Sequence, residues 1–162
     1  MTRMVTIGVF GFTEEGFFSA LTRAGVDTFC DVRWRRGVRG REYAFANRAR
    51  LEHRLGGLGI RYLHFRDLAP PPALRERQGV EDRANKVAKR QRTELGQAFR
   101  EAYRGQCLAG FNAGEFLRRL GGQARVAALF CVEREPAACH RSLLAEELTR
   151  QLGIEIAHLK PD

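Results

Sequence analysis

Residues 125–132 read Arg125-Val126-Ala127-Ala128-Leu129-Phe130-Cys131-Val132. From Val126 onward the run is apolar without a break. A strand with one wet face would alternate apolar and polar residues, so this run reads as a strand buried on both sides. It is far short of the roughly 18 residues that a membrane span needs. Strands of this kind occur in parallel sheets covered by helices, and the flanking sequence agrees. Downstream, a helix is expected from about Pro136 or Ser142 to Leu152, with Leu144, Leu148 and Leu152 on one face, and Ile154–Leu159 closes the chain as a strand. Upstream, Val5–Phe10 and Asp27–Trp34 read as strands and Ile60–Phe65 as a third with loose alternation.

The intervals between these strands carry helical signals. Thr13 is placed to cap a helix whose apolar face is Phe17, Ala20, Leu21 and Ala24, and Gly25 ends it. Asn47 stands before a second helix with Leu51, Leu55 and Leu58. Asp67–Pro72 is a rigid connection, because each proline fixes its own φ and disfavours helix in the residue before it. Glu81–Arg104 reads as one long charged helix, and Asn112 or Ala113 opens a shorter one through Phe116, Leu117 and Leu120. Alternating strands and helices predict an α/β fold, a Rossmann-like three-layer domain with a mainly parallel sheet of about five strands, spanning 1–162 as a single domain.

Composition narrows the class. The chain has 162 residues, 44% hydrophobic and 29% charged, which fits a folded globular protein. Met1–Thr13 lacks the pattern of a secretion signal, and no membrane association is expected, so the expected address is cytoplasmic. Cys30, Cys107, Cys131 and Cys139 show no CxxC spacing and read as reduced thiols. The net charge of +9 would suit a polyanion partner, but the cations are 25 Arg against 3 Lys, as a GC-rich coding bias produces unaided. Where the arginines cluster is therefore more telling than their number.

In a parallel sheet, ligands bind beyond the carboxyl ends of the strands. Three segments deliver ionisable groups there: Asp31-Val32-Arg33, His64-Phe65-Arg66-Asp67 and Cys131-Val132-Glu133, the last running on to Cys139-His140-Arg141. A cysteine at a helix amino terminus beside a histidine and an arginine gains thiolate character and can act as a nucleophile, or be a half-buried residue of the first turn. The spacing is not the Cys-x(5)-Arg loop of a cysteine phosphatase, since Ala137 and Ala145 stand where that arginine would. Glu133 suits general acid–base work or an ion pair with Arg33 or Arg141. Asp31 and Arg33, two apart on a strand, share a face and form either part of a site or an internal salt bridge. His64 shares a face with Tyr62 and Arg66. Metal binding is not expected, because Cys139 and His140 are adjacent and no Cys/His pair has zinc-ligand spacing. Arg33–Arg54 holds eight arginines with Trp34, Tyr43 and Phe45 among them, a composition that can grip phosphates or stack bases.

These residues resemble domain-of-unknown-function family 488. The resemblance rests on the Ile7-Gly8 strand, Asp31-Val-Arg33, Phe45 before a leucine-rich helix, Gly59-Ile-Arg-Tyr62 with His64, Leu68, the Tyr103 helix, and Cys131-x-Glu133 with Pro136-x-x-Cys139-His-Arg141. It implies a Rossmann-like domain in bacteria and archaea with those polar residues in one cleft, and no activity. Two features depart from the family pattern: Trp34-Arg-Arg-Gly-Val-Arg39 follows the early motif where a Pro and a Ser are usual, and Leu68-Ala-Pro70 replaces Leu-Gly-Gly. Both fall on the rim of the expected site.

The leading expectation is an enzyme acting on a phosphate-bearing substrate, a nucleotide or nucleic acid, with no cofactor indicated. Cys139, Glu133, Asp31 and His140 are the catalytic candidates, and Arg33, Arg141, His64, Tyr62 and Arg36 the substrate-binding ones. The competing expectations are a non-catalytic nucleic-acid-binding module built on the arginine-rich 33–54 loop, and a scaffold with a satisfied polar core.

Overall fold

The apolar run is buried at every position from Val126 to Phe130 (β4). It lies between two parallel neighbours, β1 (Arg3–Ile7) and β2 (Thr28–Asp31), with Ile7 and Asp31 both level with Phe130. Outside these, β3 (Arg61–His64) pairs with β2 and β5 (Ala157–Leu159) with β1. The computed structural model describes residues 1–88 and 91–162. Among them the sheet has five strands, all parallel, in the order β3-β2-β4-β1-β5.

Helices cover both faces. Residues level with one another in neighbouring strands share a face, so Phe29 and Phe130 point the same way as Ile7 and Tyr62. On that face lies α1 (Glu14–Arg23), whose Phe17 ring meets Phe29 at 6.3 Å and Phe130 at 5.7 Å. A 3-10 turn at Arg41–Ala46 and helix α2 (Arg48–Gly57) complete that layer, with Phe45 against Phe17 at 5.3 Å. The other face carries α5 (Ala113–Leu120), whose Leu120 carbonyl accepts from Arg61, and α6 (His140–Leu152), whose Arg141 reaches Thr6. The result is a three-layer α/β arrangement. No helix among the described residues is long and apolar enough to cross a membrane.

Local chemistry explains most boundaries. Thr13 Oγ1 accepts from Gly16 N at 3.0 Å and Asn112 Oδ1 from Glu115 N at 2.8 Å, each filling an orphan donor of its helix. Asn47 stands at the cap position of α2, but its Oδ1 accepts from Val38 N at 2.7 Å and pins the arginine-rich loop instead. The second strand stops at Asp31, short of the expected Trp34, because Arg33 N turns back to Asp31 Oδ1 at 3.1 Å and leaves the ladder.

The middle of the chain departs most from expectation. No single helix spans Glu81–Arg104. Instead α3 covers Pro72–Ala84 and α4 covers Gln97–Tyr103. Pro72 occupies the first turn of α3, where a missing N–H costs nothing, so the proline run launches a helix rather than only a connector. Asn85 then closes α3, and Lys86 takes a left-handed φ of 56° that no continuing helix tolerates. Residues 89 and 90, inside the expected long helix, lie outside the described residues.

One close approach fixes the sheet edge where the site lies. Gly8 follows β1, and a Cβ there would run into the backbone carbonyl of Glu133 and stand 3.1 Å from Arg141 Nη1. With no side chain at Gly8, the segment after β1 lies against the segment after β4, where Val9 N and Phe10 N both reach Val132 O at 3.0 Å.

Candidate active site

The parallel strands carry Asp31-Val32-Arg33 and Cys131-Val132-Glu133 to one edge of the sheet. Asp31 is fully buried and Arg33 nearly so. Arg33 Nε and Nη2 donate to the two Asp31 oxygens at 2.9 and 2.8 Å, and Tyr62 Oη donates to Oδ2 at 2.6 Å. The remaining Arg33 nitrogen reaches Ala46 O at 2.9 Å, and the guanidinium lies 4.7 Å from the Phe130 ring centre. His64 Nε2 sits 2.8 Å from Arg33 O. Burial, then the Asp31 charge, pushes the Tyr62 hydroxyl up, while a hydrogen bond from Arg36 pulls it down. Asp31, Tyr62, His64 and Arg36 thus form a scaffold around Arg33, and of these five only Arg33 lines the cleft.

The floor of the cleft comes from the segment that follows β4 and from the start of α6. Cys139, at the N-cap of α6, is 1% exposed, and its Sγ lies 3.7 Å from His140 Nδ1. His140 Nε2 is 2.7 Å from the Val32 carbonyl, so that nitrogen carries the proton. The imidazole packs on Tyr103 at 5.4 Å between ring centres, and Tyr103 Oη is fixed to Leu68 O at 2.6 Å. Burial pushes the Cys139 thiol up, but the hydrogen bond with Cys131 and the charges of His140 and Arg141 outweigh it and hold the thiol well below the ordinary cysteine range. Burial also disfavours the charged imidazole, and here the adjacent Cys139 overrides it and raises the His140 pKa. Cys30, by contrast, is driven far up by burial.

Glu133 pairs with neither arginine proposed for it from sequence. Its Oε1 accepts from Arg92 Nη2 at 3.1 Å, and only its backbone carbonyl accepts from Arg141, at 2.7 Å. Arg141 is fully buried and does not line the cleft; it donates to Thr6 Oγ1 and to the carbonyls of Glu133 and Arg134. That geometry makes it a brace between α6, β1 and the Glu133 loop.

Sequence reasoning missed Arg92, Asp82 and Gln78. Arg92 bridges Glu133 and Asp82, the latter at 2.7 Å, and donates to Ala138 O at 2.9 Å. Gln78 Nε2 holds Asp82 at 2.8 Å while its Oε1 takes Gly96 N at 2.9 Å. A polar pair four apart on a helix was the available signal, and it becomes visible only once α3 is recognised.

These groups line a cleft of about 660 Å³. Its lining includes Trp34, Arg35 and Arg39 of the arginine-rich loop, Arg75 and Arg83 of α3, and the buried Glu133, Cys131, Cys139 and His140 with Arg92. Among the described residues, six arginines and three carboxylates line it, and even with Asp31 counted against Arg33 the balance is cationic. Farther along the same segment, Arg48 meets Glu52, and Arg50 and Arg54 both meet Glu14.

Spacing alone argues against a metal, because Cys139 and His140 are adjacent and no other Cys/His pair has zinc-ligand spacing. The fold supplies a third partner: the ligand atoms of Cys131, Cys139 and His140 all lie within 4.8 Å of one another.

Searches of curated proteins and of solved structures return no match. A family model described as a domain of unknown function, DUF488, matches residues 13–148, a span that contains every cleft-floor residue named above. The chain belongs to the DUF488 family.

Proposed function

We propose that this chain is an enzyme whose cleft takes a phosphate-bearing substrate, a nucleotide or the end of a nucleic acid. The observation that carries the reading is the floor: Arg33, Arg92 and Glu133 are held with side chains 3%, 9% and 7% exposed at the base of an open cationic cleft, beside Cys139 and His140. Buried charges contribute little net stability, and their concentration in a cleft is the pattern of a functional site. Arg35, Arg39, Arg75 and Arg83 would guide and hold the anion, with Arg33 and Arg92 deeper. Glu133 would move the proton, and Cys139 with His140 would supply or support the nucleophile. Asp31, Tyr62, His64 and Arg36 position Arg33, and Arg141 positions the Glu133 loop.

The nucleic-acid-binding alternative is disfavoured by Arg48, Arg50 and Arg54, whose charges already face carboxylates of the same chain. The two readings separate on single-stranded oligonucleotides of about 4 and 20 residues, titrated at several salt concentrations. A cleft that takes one end binds both with affinities within about threefold and a shallow salt dependence. A backbone-gripping surface binds the longer strand far more tightly, and its log K falls steeply with log salt, by close to one unit per phosphate neutralised. The second result would overturn the enzyme reading.

A further inference from the structure

We propose that Cys131, Cys139 and His140 form a site for one transition-metal ion of the zinc class, with its fourth position open to the cleft. The inference concerns the floor alone and does not depend on what the arginines hold; with the ion bound, Cys139 and His140 are its ligands, so the nucleophile of the proposed reaction would be a water at the open fourth position rather than the Cys139 thiolate.

Three observations support it. The three ligand atoms lie within 4.8 Å of one another, and the Cys139 Sγ to His140 Nδ1 separation is 3.7 Å. Metal–sulfur bonds of about 2.3 Å and metal–nitrogen bonds of about 2.0–2.1 Å, set at a tetrahedral angle, give an edge of roughly 3.6 Å. The imidazole is also turned the right way. Its Nε2 proton goes to the Val32 carbonyl, so in the neutral ring that binds a metal the Nδ1 lone pair faces the Cys139 sulfur. A ligating histidine generally donates its other N–H to a carbonyl or carboxylate in this manner, and the Tyr103 ring against His140 further restricts the imidazole. Finally, all three residues are buried yet all three line the cleft. Three protein ligands with one open position is the arrangement of a catalytic ion, whereas a structural zinc is enclosed by four.

The donor set selects the metal. Two sulfurs and an imidazole favour zinc, cobalt or similar ions over magnesium or calcium, which take oxygen. Cys131 directly follows β4, Cys139 caps α6 and His140 opens it, so the ion would tie the sheet edge to the start of that helix. Glu133, two residues from Cys131 and held by Arg92, is a second group on the floor suited to handle the proton of an ion-bound water.

The test uses the intact chain, stripped with a chelator under reducing conditions and reloaded with Zn²⁺ or Co²⁺. Elemental analysis should find close to one zinc per chain after desalting. The Co²⁺ form should show the strong visible bands of a tetrahedral site and near-ultraviolet thiolate charge transfer. Cys131→Ser and His140→Ala should each cut zinc retention at least tenfold. Cys107→Ser, outside the cleft, should leave it unchanged. Retention below a tenth of an equivalent, or a weak octahedral cobalt spectrum without thiolate bands, would overturn the site even if the variants fail to fold. Retention unaffected by Cys131→Ser and His140→Ala would overturn it too. Anion binding measured on the stripped chain reports separately on the arginine cleft, so either reading can fail alone.

Discussion

Arg33→Met is expected to lower the stability of the chain by about 3–5 kcal/mol, because it strands the Asp31 carboxylate where water cannot reach it. The wild-type carboxylate accepts from Arg33 N, Nε and Nη2 and from Tyr62 Oη, and two of those four bonds come from the guanidinium. Methionine fills similar volume and preserves contact with Phe130, so the loss reports on charge rather than on a cavity. At this chain length each kcal/mol moves the melting temperature by roughly 2–4 °C, which makes the expected fall about 10 °C. Removing the charge from both sides, in Asp31→Asn/Arg33→Met, should recover a large part of the loss, since a buried pair replaced together is often near neutral. Denaturant midpoints of the three variants measure this. A fall below about 1 kcal/mol for the single variant would mean that the pair is solvated and that the scaffold assigned to Asp31 is wrong.

Glu133→Gln is expected to leave the fold intact and to cut turnover by about 10²–10⁴-fold, the usual contribution of a positioned acid–base group. Glutamine keeps an oxygen for Arg92 Nη2, and the backbone carbonyl that anchors Arg141 is untouched. The loss should therefore fall on kcat, with KM changed little and the melting temperature within a few degrees of wild type. Release of phosphate or nucleotide from a phosphate ester that the wild type cleaves is the readout. Full turnover in the variant would remove Glu133 from the chemistry and return it to the role of a structural partner for Arg92.

What could be read from the sequence follows from how local the cause is. The burial of β4, the cap at Thr13 and the leucine face of α6 depend on near neighbours in the chain, and they stand as expected. The convergence of Asp31, Arg33, Cys131, Glu133, Cys139 and His140 on one edge of the sheet follows from parallel strands alone. Arg92 was out of reach, because its meaning lies in Glu133, 41 residues away, and in a helix whose start was hidden among prolines. Arg141 misled for the opposite reason. Beside Cys139 and His140 in the sequence it looks like an anion ligand, but the first turn of α6 aims it into the sheet, toward Thr6. The metal-capable cluster escaped a spacing rule because one of its members, Cys131, comes just after β4, eight residues before Cys139.

The claim that the cleft binds a phosphate-type anion is tested most directly by calorimetric titration of the chain with inorganic pyrophosphate, followed in parallel by the emission of Trp34, the single tryptophan and a residue of the cleft wall. The account predicts one saturable site per chain and a change in Trp34 emission that tracks the heat. Because a charge-assisted hydrogen bond contributes about 1.5–3 kcal/mol, affinity should fall at least tenfold in Arg35→Ala/Arg83→Ala, whose two exposed side chains stand clear of the buried floor. Absence of saturable binding at millimolar pyrophosphate, or binding that the double variant leaves unchanged, would contradict it.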